Sequence, residues 1–384
     1  MVIPLPQPEE ISLYFHVPFC KKKCGYCHFF VVKDDKELHE SLVQGFIQEI
    51  KRAAPILKKR KLVSIYFGGG TPSLLSAMHI ETVLNEVTRA IAFSPSDTEI
   101  TMEFNPESCS KETFHHFKSA GINRASIGIQ SFDDALLLSL TREHSAQKGR
   151  DAVLASAEAG IDNITIDLMY EIPGQTKKSW DNTLQTATDL PITHLSLYNL
   201  TFEEGTSFYR KKSALSLLLP SDEEAKDMLL HAVDHFEREN LHRYEISAFA
   251  KTGFYSRHNT GYWLGREFFG FGPSAFSYLG GKRLRNTENL KTYLKLCKEG
   301  DSPIDFEEEL EREGKLRELF TISLRLSQGV AIKEFEERFM PLSQKLMEEV
   351  ANLEKKEFLR TDGARISLTE KGRLFFNDVA SELI

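Results

Sequence analysis

The chain has 384 residues, a formal net charge of −8, 41% hydrophobic and 27% charged residues, proportions that exclude a disordered, collagen-like or disulfide-scaffold protein. The acidic balance gives no electrostatic case for nucleic-acid binding, and no apolar run approaches the ~18 residues of a membrane span. There is no basic-then-apolar leader, and three of the five cysteines fall within eight residues, so a cytoplasmic protein that binds a metal in a reducing compartment is expected.

Six short apolar and β-branched runs occupy the first half: ISLYFHV from Ile11, SIYFGG from Ser64, EITMEF from Glu99, RASIGI from Arg124, NITIDLM from Asn163 and HLSLYNL from His194. Between them, apolar residues recur at helical spacing, as in Leu38-Leu42-Phe46-Ile50 and Ile80-Val83-Leu84-Val87. Six strand–helix repeats predict an α/β fold with a parallel sheet, a partial (β/α)6 barrel over residues 1–210. In such folds ligands collect at the C-terminal ends of the strands. Residues 211–300 read as an extension, with a helix from Ser221 to Glu239 and a Gly- and aromatic-rich stretch from Phe254 to Gly281. Residues 301–384 read as an α-rich, winged-helix-like domain in which ISLTEKGRLFF, from Ile366, is a short strand leading into a last helix. The acidic chain argues for a capping or substrate-covering role there rather than DNA binding.

FCKKKCGYC places Cys20, Cys24 and Cys27 in a C-x3-C-x2-C arrangement. A structural zinc site needs a fourth ligand. His28 is the candidate, but chelation beside its neighbour Cys27 is strained. Three thiolates in a tight loop suit a [4Fe-4S] cluster with one open iron; zinc stays as the alternative. At the end of the next strand, YFGGGTPSLL offers Gly69, Gly70 and Thr71, whose backbone can approach a ligand closely and whose N–H groups can take a carboxylate. Glu103, Gln130, Arg142 and Asp167 are polar residues where later apolar strands stop. Taken singly, each could be an ordinary turn or cap residue.

The cysteine triplet after the first strand, with Tyr26 before the last cysteine, resembles the radical S-adenosylmethionine (SAM) superfamily. With the ordered polar residues it is similar, spacing for spacing, to the oxygen-independent coproporphyrinogen III oxidase family over nearly the whole chain. The resemblance implies a [4Fe-4S] cluster on Cys20, Cys24 and Cys27, with the SAM amine and carboxylate on the open iron. It implies SAM contacts from Tyr14, Tyr26, Gly69, Gly70, Thr71, Glu103, Gln130, Arg142 and Asp167. Two features depart from the oxidase: Phe29 stands where its pattern has a further cysteine, and its N-terminal extension is missing ahead of Cys20. A third is positive. His258-Asn259-x-x-Tyr262-Trp263 is the H-N-x-x-Y-W signature of the heme chaperone branch, and it implies heme contact by these four residues, with His258 as the candidate iron ligand.

The function implied is heme binding and transfer to apoproteins by a protein that retains a SAM-binding cluster. Its alternative is the oxidase reaction, conversion of porphyrinogen propionates to vinyls. Lys21, Lys22 and Lys23 in the cluster loop are expected to dock a flavodoxin-like electron donor or to be a solvated charged loop. Glu171 stands where relatives commonly have glycine.

Overall fold

The computed structural model describes residues 2–384. The six expected strands are all present: β1 (Glu10–Val17), β2 (Lys61–Gly69), β3 (Glu99–Phe104), β4 (Arg124–Gln130), β5 (Asn163–Tyr170) and β6 (His194–Asn199). They pair in parallel in that order. Helices α1 (His39–Leu57), α2 (Ala77–Ala90), α3 (Lys111–Ser119), α4 (Ala146–Glu158) and α5 (Lys177–Thr188) connect them. Each helix turns its apolar stripe to the sheet, as Leu42, Phe46 and Ile50 of α1 do.

The strands alternate rather than reading as continuous apolar runs. Leu13, Phe15, Ile65, Phe67, Ile100, Met102, Ile127 and Ile166 are buried under the helices. The residues between them face inward and are polar: Ser12, Tyr14 and His16 on β1, Glu99, Thr101 and Glu103 on β3, Thr165 and Asp167 on β5. The barrel interior is therefore a polar chamber, and the apolar core lies outside it.

The region after β6 is built into the same sheet. Helix α6 (Asp222–Arg238) begins at Ser221, whose hydroxyl and Glu224 form a reciprocal cap. Strand β8 (Ala248–Ala250) adds antiparallel to β6, and β7 (His242–Glu245) pairs antiparallel with β8 at the edge. After helix α7 (Arg257–Trp263), strand β9 (Glu267–Phe271) pairs parallel with β1, so it extends the barrel from its other edge. Strands β10 (Phe276–Leu279), β11 (Lys282–Asn286) and β12 (Ile304–Glu309) follow antiparallel, giving twelve strands in the order β12-β11-β10-β9-β1-β2-β3-β4-β5-β6-β8-β7. Helix α8 (Leu290–Glu299) joins the barrel's own core through Leu290, Tyr293 and Cys297. Tyr293 donates to the buried Glu49 carboxylate of α1 at 2.6 Å.

The tail has a separate apolar core, including Leu316, Phe320, Leu346, Val350 and Ile366. It is built from helices such as α9 (Arg312–Ser323) and a three-stranded antiparallel sheet, with the strand expected at Ile366 running Arg365–Leu368. It sits across the gap between the two edges of the open sheet. On one side Glu318 pairs with Arg283 of β11 and Lys315 with Glu309 of β12; on the other, Ser327 N–H donates to Tyr244 O of β7 and Leu326 bridges to Glu245. Among the described residues no helix is long and apolar enough to cross a membrane.

Candidate functional site

The interior opens at the C-terminal ends of the strands into a cavity of about 450 Å³. Cys20, Cys24, Cys27, Tyr26, Gly69, Gly70, Thr71, Glu103, Gln130, Arg142, Asp167 and Asn259 all line it. The cysteine loop leaves β1 and is held at both ends. Val32 and Asp34 N–H groups donate to Pro18 and Cys20 carbonyls, and Gly70 and Thr71 N–H groups to Val17 and Phe19 carbonyls. At the loop's apex Gly25 donates to Thr141 Oγ1 (2.8 Å), and its own carbonyl accepts from Ser207 Oγ and Phe208 N–H. A Cβ at Gly25 would stand 2.2 Å from the Phe208 ring, so that apex admits only glycine.

The three thiols are free and half-buried. Burial pushes the Cys20 thiol up to about 11, against a hydrogen bond with Thr71 that lowers it, and burial raises Cys27 as well. Cys20 Sγ lies 3.5 Å from Thr71 Oγ1, and Arg142 approaches Cys24 Sγ at 3.6 Å. Among the described residues no three His, Cys, Asp or Glu side chains converge on a position for a single metal ion. A [4Fe-4S] cluster takes one thiolate on each of three irons, and the three cysteines of this one loop can supply them.

The opposite wall is a cradle. Gly69 has φ 109°, a left-handed backbone, and a Cβ there would meet the His16 ring at 2.5 Å; one at Gly70 would meet Phe19 O at 2.6 Å. The strand end is thus stripped of side chains beside the thiols. Glu103 accepts from Tyr66 Oη (2.9 Å) and from Gly69 N–H (3.1 Å). Burial, helped by the nearby Asp167 charge, raises its pKa to about 7, and burial raises Asp167 to about 6. Arg142 donates to Gly128 O (2.8 Å) and Asn105 Oδ1 (3.1 Å), while its buried Nε has no partner. Asn105 also donates to Thr71 Oγ1 (3.0 Å), so one side chain links the glycine turn to Arg142. Gln130 has φ 67° at a register break in β4, a strained backbone that turns its side chain at the cavity. An unpaired guanidinium nitrogen, two carboxyls and a bare glycine turn suit a zwitterionic, cationic ligand such as SAM beside the thiols.

Sequence reasoning passed over Asn105, Tyr66 and Arg124. The first directly follows the strand carrying Glu103; the other two are polar residues on the inward face, a period-two signal present in the sequence. Tyr14 lies beneath the cavity wall, its ring 6.2 Å from Tyr66 and its hydroxyl 3.0 Å from His16 Nδ1.

His258, Tyr262 and Trp263 do not line the cavity. Helix α7 lies inside the barrel against β2 and β3, with Glu99 accepting from the N–H groups of Arg257 (2.9 Å) and His258 (3.0 Å). His258 is 1% exposed. Ser64 Oγ donates to Ser12 Oγ, so His258 Nδ1–H donates to Ser64 (2.9 Å), and Nε2 accepts from Tyr262 Oη (2.8 Å). Burial, with the charges of Arg266 and Arg124, pushes its pKa down to about 3. Trp263 faces the tail: Arg325 stands 4.2 Å over its ring and pairs with Glu245 at 3.4 Å. Of the four signature residues, Asn259 alone reaches the cavity.

Residues 14–187 match the radical SAM superfamily and residues 310–375 the HemN C-terminal domain. A solved structure of coproporphyrinogen III oxidase (HemN) from Escherichia coli, described as a radical SAM enzyme, superposes with a TM-score of 0.85 over 98% of this chain and 90% of that one; at 23% identity the likeness shows the fold. Proteins named heme chaperone HemW from Lactococcus lactis and Bacillus subtilis are each 33% identical. The alignments cover 97% and 96% of this chain, and 97% of each relative. The chain belongs to the radical SAM superfamily and, within it, to the family of these HemW relatives. Membership of that superfamily implies a [4Fe-4S] cluster and SAM.

Proposed function

We propose that this protein binds heme and passes it to apoproteins, and that it holds a SAM-binding [4Fe-4S] cluster on Cys20, Cys24 and Cys27. The observation carrying this reading is the end-to-end similarity to relatives named heme chaperone HemW. The cluster and SAM, when bound, supply an electron donor beside a sulfonium. The chain's own part is to fix them. Gly69, Gly70 and Thr71 leave room for the methionine end of SAM, the Glu103 carboxylate takes its ammonium, and Arg142 offers its unpaired Nε to a carboxylate. Tyr26, packed edge-on against Phe208 at 6.2 Å, closes the loop side against water. Gln130 and Asp167 face the remaining polar groups. Lys21, Lys22 and Lys23 stand exposed on the same rim, a surface suited to an acidic electron donor.

The heme contact is gated. Burial keeps His258 neutral, the form that ligates iron, and Ser64 orients its Nδ1–H so that Nε2 carries the lone pair. Tyr262 covers that lone pair, and Glu99 holds the helix in its seat. Heme reaches Nε2 once α7 leaves the chamber. Binding is then slow and limited by opening, so its rate levels off as heme concentration rises. Stopped-flow mixing under anaerobic conditions tests this. A rate linear in heme over the whole accessible range would show an open site instead. An anaerobic assay for conversion of propionates to vinyls with SAM and reductant tests the oxidase alternative, and no turnover is expected.

A further inference from the structure

Ahead of β1, residues 3–8 read IPLPQP and lie in neither helix nor strand. Proline at every second position biases the residues between toward extended backbone and leaves three positions with no N–H to donate. Apart from one turn bond, Glu10 N–H to Gln7 O at 3.0 Å, the segment's hydrogen bonds among the described residues are to side chains. Gln328 of the tail takes both polar groups of Ile3, accepting its N–H at 2.6 Å and donating to its carbonyl at 2.8 Å. Arg338, also of the tail, donates to Pro6 O (2.8 Å), and Arg60, just ahead of β2, donates to Pro8 O (2.7 Å).

The segment packs on the apolar cluster that flanks α7. Leu264, directly after the last residue of α7, is buried in that cluster with Tyr244 and Leu326. Trp263 packs against it from the end of the helix and Tyr255 from just ahead of its start, so the cluster touches both flanks of α7. Ile3 and Leu5 pack against the same cluster. A segment tied by three side chains and two half-buried apolar residues, with no strand ladder, opens at a small fraction of the cost of global unfolding.

We propose that residues 3–8 are a latch on α7. While Gln328 holds Ile3, the cluster is closed and α7 stays seated. Once the segment lifts, Ile3 and Leu5 leave the cluster, water reaches both flanks of α7, and the helix loses apolar packing that holds it in the barrel. The latch couples the tail, which carries Gln328 and Arg338, to the helix that carries His258. Taking its release as the step that admits heme rests on the reading of α7 as the gate; the latch itself does not.

The test is hydrogen–deuterium exchange, read by mass spectrometry, on the full, cluster-reconstituted chain. Gln328→Ala removes both bonds to Ile3, and Leu5→Ala thins the packing without altering a tail residue. In each variant the amides of residues 257–264 are expected to exchange about tenfold faster, while those of α5 keep their rate. Unchanged exchange over residues 257–264 in both variants overturns the latch. So does a rise shared equally by α5 and the other barrel helices, since the segment would then brace the whole fold rather than α7. Stopped-flow mixing with heme separates the two readings. Faster exchange with faster heme association supports both; faster exchange with heme association unchanged upholds the latch and overturns α7 as the gate.

Discussion

Burial keeps the Glu103 carboxyl from ionising fully until about neutral pH. Its pKa in the folded chain is raised to about 7, above the ordinary 4.5, and Asp167 is raised to about 6 from 3.8. A raised carboxyl favours the protonated folded state, so its contribution to stability is fully present below the ordinary carboxylate range. That contribution is lost as pH climbs through 6 and 7. The ligand-free protein is therefore expected to lose stability between about pH 4.5 and 7, and Glu103→Gln to flatten that loss; urea unfolding across this range measures both. An ammonium beside Glu103 reverses the preference, so SAM binding at pH 6 should release a proton. Calorimetry in two buffers of different ionisation heat detects it, and a buffer-independent heat would contradict the assignment.

Glu171 is a second single-residue case. It occupies φ 63°, the left-handed region, where a side chain costs roughly 1 kcal/mol. Glu171→Gly is expected to stabilise the protein by about 0.5–1 kcal/mol, read as a shift in urea midpoint at unchanged slope.

Among elements, helix α7 carries the most consequence. Seven residues long, it is held by Glu99 at its start, Ser64 and Tyr262 around His258, and Arg325 at its end. Tyr262→Phe removes the hydroxyl covering His258 Nε2 and keeps the ring packed at 4.7 Å on Phe268. Heme association is expected to accelerate several-fold in that variant. A slower or unchanged rate would mean that Tyr262 does not guard the ligand atom.

Elements also show what was legible. EITMEF was readable to the residue, since a short β-branched run between turn signals has few alternatives, and the start of α6 was readable at Ser221. Strands β7 to β12 were not. They are three to six residues long, and β9 earns its place by pairing with β1, more than 250 residues earlier in the chain. Nothing local marks such a partner. The cavity residues were readable because strand ends share one rim. The seat of α7 was not, because the aromatic-rich stretch that reads as a binding surface folds inward, and only the barrel's polar inner face explains why it can.

At the scale of the molecule, the barrel and the tail each have their own apolar core. The tail closes the gap between β7 and β11–β12 instead of standing over the cysteine loop, and Trp263 with Arg325 joins it to the helix that carries His258. A double-mutant cycle on Trp263→Ala and Arg325→Ala is expected to show a coupling of about 1 kcal/mol. Either single change should also speed heme association, because the seam and the gate share this contact. Additive stabilities with unchanged rates would uncouple them.

We propose that heme binds on His258 in a protein that also holds a cluster. The most direct test is anaerobic titration of the cluster-reconstituted chain with heme, following the Soret band in parallel with His258→Ala. A saturable signal at one heme per chain, lost in the variant while its cluster absorbance and fold persist, is the expected result. A signal indifferent to His258, or no saturable signal at all, would contradict it.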